Sequence, residues 1–135
     1  MRDKMNWIAS RIAILGGLLH LFMALSLLFL PVLITCQLAD RNEACYSQSY
    51  IQQGGNFLGY TFLLLMIIAG IVAIYSSWDS NSKRAYFSRW LVVVASAIVF
   101  VIAGSGFGII FAPGGLLVLL AILLQTITSA QQSKA

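Results

Sequence analysis

The chain has 135 residues, 60% hydrophobic and 9% charged, and its eight Lys and Arg against four Asp and Glu give a formal net charge of +4. Soluble domains carry roughly a quarter charged residues, so the composition argues against a water-soluble fold. Seven of the cations flank apolar runs on one side and only Arg41 lies on the other, which makes the basic excess a topology signal and argues against a nucleic-acid partner.

Crossing a hydrocarbon layer of about 30 Å takes about 20 apolar residues, and four runs come near that length. The first predicted span covers Ile12 to Ile34, preceded by Arg2, Lys4 and Arg11. It is too long for a secretory leader and lacks a small-residue cleavage site. Ala9, Ala13, Gly16 or Gly17, His20 and Ala24 recur along it at spacings of three and four, the pattern by which helices approach one another in lipid. His20 is the only ionisable side chain well inside a predicted span, and such residues mark functional sites by default. It reads either as a neutral imidazole bonded to a neighbouring helix, or as an axial ligand for a haem or chlorophyll-type pigment or a donor to a quinone. With no second His in the chain, the packing role is favoured.

The first loop, Thr35 to Asn56, carries Gln37, Gln48, Gln52, Gln53, Tyr46 and Tyr50 and is the natural docking surface. Cys36 and Cys45, the only cysteines, share this loop, where an oxidising compartment lets a disulfide persist. Pairing them closes a short ring and contributes about 2–3 kcal/mol in the chain-entropy model. The alternative is a lipoprotein processing box at Leu33-Ile34-Thr35-Cys36 with a lipid on Cys36, against which stands the Thr before the cysteine.

The second predicted span, Phe57 to Tyr75, offers a face of Gly59, Met66, Gly70 and Ala73, continued by Gly55 before it. The second loop, Ser76 to Ser88, is polar, and Lys83, Arg84 and Arg89 make this connection basic. Trp7, Trp78 and Trp90 sit near span ends on the basic side, where indole rings anchor at the headgroup level. The third span is expected over Trp90 to Ile110, with Gly104 and Gly108 as a small-xxx-small pair. Phe111-Ala112-Pro113-Gly114-Gly115 is read as the third reversal, with Pro113 opening the fourth span, Pro113 to Ala130. Gly114, Ala121 and Gln125 line one side of that span. Counted from the span centres, His20 and Gln125 fall at one depth, which predicts a hydrogen bond between them, with Ser96 in the same half of the bundle.

The fold class is therefore an all-α membrane protein, a bundle of four transmembrane helices forming one domain over residues 1–135, with both termini cytoplasmic. All four acids fall in termini or loops, no Lys or Arg falls in a predicted span, and one His with two loop Cys makes no metal set. Gly104-x-Gly106-x-Gly108 lacks the strand-turn-helix context of a nucleotide loop. No enzyme activity and no resident cofactor or metal are expected.

Four spans, a C-x8-C pair in the first outside loop and a near-absent second outside loop resemble claudin-type tetraspan proteins in topology. The loop is far shorter than theirs and lacks their Trp-x-x-Trp-x-x-Cys lead-in. The stretch from Leu58 to Leu124, with Ile68-Ala69-Gly70-Ile71-Val72, Phe107-Gly108 and Gly114-Gly115-Leu116-Leu117, resembles small uncharacterised bacterial four-span membrane proteins, a likeness that implies no activity. The leading expectation is a non-catalytic accessory or structural subunit of a larger membrane complex, in a bacterial inner membrane, with lipid and other membrane subunits as partners. The alternatives are a small oligomeric channel or exporter, and a pigment-, haem- or quinone-binding protein built on His20.

Overall fold

The computed structural model describes residues 2–39, 42–78 and 82–132; side chains at 2, 3, 35, 37–39, 42–44, 82, 104–108, 131 and 132 fall outside the description. The elements run α1 Arg2–Phe29, β1 Leu33–Ala39, β2 Asn42–Gln48, α2 Phe57–Tyr75 and α3 Ser82–Gln132. Within them lie four helical stretches long and apolar enough to cross a membrane: Lys4–Phe29, Phe57–Tyr75, Lys83–Ala103 and Ile109–Ala130.

The first helix differs from expectation at both ends. It begins at Arg2 rather than Ile12, because the polar opening turns are helical too, and 28 residues reach about 42 Å at ~1.5 Å per residue. It stops at Phe29, two residues before Pro31, although the apolar run continues to Ile34. A proline disfavours helical backbone in the residue before it and donates no N–H. The chain beyond is extended. β1 and β2 pair antiparallel with Cys36 opposite Cys45, and these two form the expected disulfide with Cα atoms 4.1 Å apart. The first loop is thus a stapled β-hairpin, and Cys36 is not free to carry a lipid. Strand alternation sends Leu33 toward the bundle, where it packs on the core, and leaves Ile34 77% exposed.

Residues 49–56 cover the outer end of the bundle. Tyr50 is buried, so it is a core residue and not the docking side chain expected of it. Its N–H donates to the Leu27 carbonyl at the end of α1 (3.0 Å), and its hydroxyl donates to Asn56 Oδ1 (3.1 Å). Asn56 is also the N-cap of α2, its Oδ1 accepting from the Gly59 N–H at 2.8 Å, the bond that satisfies an orphan donor of the first turn. Gly54 turns the chain there at φ 69°, backbone that glycine adopts without strain.

α2 spans the predicted residues, Phe57–Tyr75. α3 departs from expectation most. It is helical from Ser82 to Gln132, yet an Arg89 nitrogen lies 2.8 Å from Gln125 Oε1, 36 positions on. A straight helix would separate them by about 54 Å. The element is therefore a helical hairpin, with an ascending arm Lys83–Ala103 and a descending arm Ile109–Ala130. The reversal falls between Ala103 and Ile109, not at Phe111–Gly115. Pro113 lies inside the descending arm, near its start, where a missing N–H is tolerated. Gly104 and Gly108, expected as a packing pair, fall in this stretch, and their surroundings lie outside the described residues.

One cluster of buried side chains, including Ala24, Leu63, Met66, Val92, Val99, Phe111 and Val118, draws on every helix. A smaller one, Ala9, Ala13 and Ala121, closes the basic end between α1 and the descending arm. The hairpin form of α3 is checked by double electron–electron resonance between spin labels at Leu91→Cys and Leu123→Cys. We expect a separation under about 25 Å, whereas an unbroken rod gives about 48 Å at ~1.5 Å per residue.

Candidate functional site: two polar layers in the bundle

α1 lies against both of its neighbours through two consecutive glycines that face different ways. A Cβ on Gly16 would stand 2.9 Å from the Gly114 carbonyl of the descending arm, and one on Gly17 would stand 2.6 Å from the Gly70 carbonyl of α2. Backbones approach this closely only where no side chain intervenes. The expected packing roles of Gly16, Gly17 and Gly70 are seen directly. Gly59 is also tightly packed, but against Tyr50 and not against another helix.

One turn beyond Gly16, His20 is buried in the middle layer. Its ring is stacked on Phe111 with centroids 6.1 Å apart, and Gly114 leaves the room in which the ring sits. Nδ1 lies 2.9 Å from the Gly16 carbonyl. A carbonyl only accepts, so Nδ1 carries the proton, and in the neutral ring Nε2 accepts from the Ser96 hydroxyl at 3.0 Å. That hydroxyl also stands 2.9 Å from the Val92 carbonyl, so one proton serves two acceptors. Both ring nitrogens are engaged, and ligation of a haem or pigment metal here would require breaking one of these bonds.

The expected bond from His20 to Gln125 is not made. α1 begins ten residues earlier than predicted and the descending arm four residues earlier, so the depth count shifts. His20 lies on the outer side of the middle of Lys4–Phe29, and Gln125 lies near the basic end of Ile109–Ala130. The two are about nine helical residues apart in depth, or about 13 Å.

Gln125 belongs instead to a second layer centred on Arg89, which sequence reasoning left in the second loop. Arg89 is only 3% exposed. Its Nη1 donates to Gln125 Oε1 of the descending arm (2.8 Å), its Nη2 to Ser10 Oγ of α1 (3.3 Å), and its Nε to Ser76 Oγ at the end of α2 (3.4 Å). One guanidinium thus joins three other helical segments, and every acceptor is neutral. Beside it the Ser77 hydroxyl donates to the Ser10 carbonyl at 3.1 Å, tying α1 to the end of α2. Among the described residues no buried side-chain nitrogen or oxygen lacks a partner. Arg89 was legible in principle: Ala85, Arg89, Val92, Ser96 and Val99 fall at helical spacing and are all buried. Apolar run length alone starts the span at Trp90 and hides the inward-facing Arg89 in the polar stretch before it.

The arrangement holds helices together, and the Ser96 hydroxyl that meets the His20 ring is itself buried and shared with the Val92 carbonyl. Among the described residues no cluster of three His, Cys, Asp or Glu could hold a metal.

Because an added methyl at Gly114 meets the His20 ring, Gly114→Ala should lower stability by about 1–3 kcal/mol. The Gly114→Ala/His20→Ala double variant should lose less than the sum of the singles. Unfolding in mixed micelles followed by circular dichroism measures both. Comparison of the chain with protein families, with curated proteins and with solved structures found no match.

Proposed function

We propose that the chain is a four-span membrane protein, both termini cytoplasmic, that serves as a non-catalytic accessory subunit beside a larger membrane complex. Orientation rests on the positive-inside rule: the basic residues in the first turns of α1 and at the start of α3 share one end of the bundle, opposite the stapled hairpin. The observation that carries the functional reading is the hairpin. It projects past the end of α1 at Phe29 and presents Ile34, with the disulfide on the same outward face. Ile34 and the adjacent disulfide, held on a stapled hairpin, give another protein a rigid and partly apolar contact. The bundle supports the same reading, since its polar interior bonds to itself and its small residues are spent on internal packing.

The test is gentle solubilisation of native membranes followed by sizing and identification of what travels with this 14.7 kDa chain. Co-purification with a larger membrane protein, lost on Ile34→Asp while the chain still inserts, is the expected result. Migration only as a free monomer contradicts the proposal.

A further inference from the structure

The basic end carries a feature that the packing does not use. A cleft of about 500 Å³ opens between α1 and the turn after α2, lined by Asn6, Trp7, Ser10, Arg11, Ser77 and Trp78. Ser10 and Ser77 are occupied in tying the two segments together, so they form its floor. Asn6, Trp7, Arg11 and Trp78 carry N–H donors, and Ile14 adds an apolar wall. The Arg11 guanidinium is stacked 4.9 Å over the Trp7 ring, which limits its rotamer freedom and presents its planar fork. Among the described residues none accepts a hydrogen bond from Arg11, from the Asn6 amide or from either indole N–H, and none of those lining the cleft is a carboxylate; the side chains of Asp3 and Asp79 lie outside the description.

We infer that this cleft binds the phosphate headgroup of an anionic phospholipid in the leaflet at the basic end. A rigid guanidinium with five N–H donors matches phosphate oxygens, and an amide and two indoles add donors around it. The exposed rings of Trp7 and Trp78 have the amphipathic character that settles at headgroup depth, which brings the phosphate to the fork. Basic clefts between helices on this side of a membrane collect anionic headgroups by the same attraction. The inference requires that the helices cross a bilayer and does not require a protein partner, so failure of the accessory-subunit reading leaves it standing.

The experiment uses the full chain in neutral detergent with Trp90→Phe, so that only Trp7 and Trp78 report. Titration with phosphatidylglycerol should give a saturable change in emission, with phosphatidylcholine at least fivefold weaker. Arg11→Gln should weaken phosphatidylglycerol binding about five- to tenfold, while Lys83→Gln, at the same end but outside the cleft, should change it less than twofold. Equal losses from the two substitutions would reduce the effect to diffuse surface charge and overturn the site. Equal binding of the two lipids would overturn it as well. Inorganic phosphate saturating the signal at the lipid's own concentration would make this a site for a free anion and overturn the lipid assignment.

Discussion

The Arg89 guanidinium is the constraint around which the bundle is arranged. A cation withdrawn from water costs several kcal/mol unless its donors are met, and at 3% exposure Arg89 has them met by the protein itself. Here the acceptors come from Ser10, Ser76 and Gln125, one each from α1, the end of α2 and the descending arm of α3. Rotating any of these segments by one residue would turn its acceptor away. The pairing therefore sets the azimuth of four helical stretches at one end, which apolar packing by itself does only loosely. No carboxylate takes part, so the contact is charge-assisted hydrogen bonding, with the charge spread over three neutral dipoles.

Farther along the axis, the same rule recurs with less at stake. His20 is satisfied by Gly16 and Ser96, and Tyr50 with Asn56 closes the outer end. Between these polar levels the helices are held by contact. The largest share of that contact falls to α1, which meets α2 through Gly17 and Gly70 and the descending arm through Gly16 and Gly114. A cross-helix hydrogen bond in lipid contributes about 0.5–2 kcal/mol, whereas a buried Leu side chain makes some 40–60 attractive contacts of ~0.1–0.2 kcal/mol each. Packing thus supplies most of the cohesion, and the polar layers select which packed arrangement is adopted.

Much of this was legible in the chain. The second span, the buried ridge of α1, and the pairing of Cys36 with Cys45 follow from apolar length, small-residue spacing and cysteine count. The departures share a cause: hydropathy reports where apolar residues lie and not where helical hydrogen bonding starts or stops. The apolar run of the first span continues through Pro31 into strand, and helix extends back from it through Arg2. The sequence puts the third reversal at Phe111–Gly115 with Pro113 opening the fourth span, yet the descending arm extends back to Ile109 and the chain turns a few residues earlier. Each boundary error moved a residue in depth, which is how Gln125 was paired with His20 and Arg89 was left in a loop. Helical spacing with Ala85, Val92, Ser96 and Val99 marks Arg89 as inward-facing, but no pattern in the sequence names Ser10, Ser76 and Gln125 as its partners.

Among the described residues the bundle's buried polar groups bond to one another, with a stapled hairpin at one end and a cleft at the other. Its internal closure depends on Arg89 and Gln125 acting as a pair, and a double-mutant cycle with Arg89→Met and Gln125→Leu, read as unfolding free energy in micelles, tests that dependence most directly. The account predicts a coupling of about 1–3 kcal/mol, because each single change removes the same charge-assisted hydrogen bond, that from Arg89 Nη1 to Gln125 Oε1. Additivity of the two changes within about 0.5 kcal/mol would contradict it.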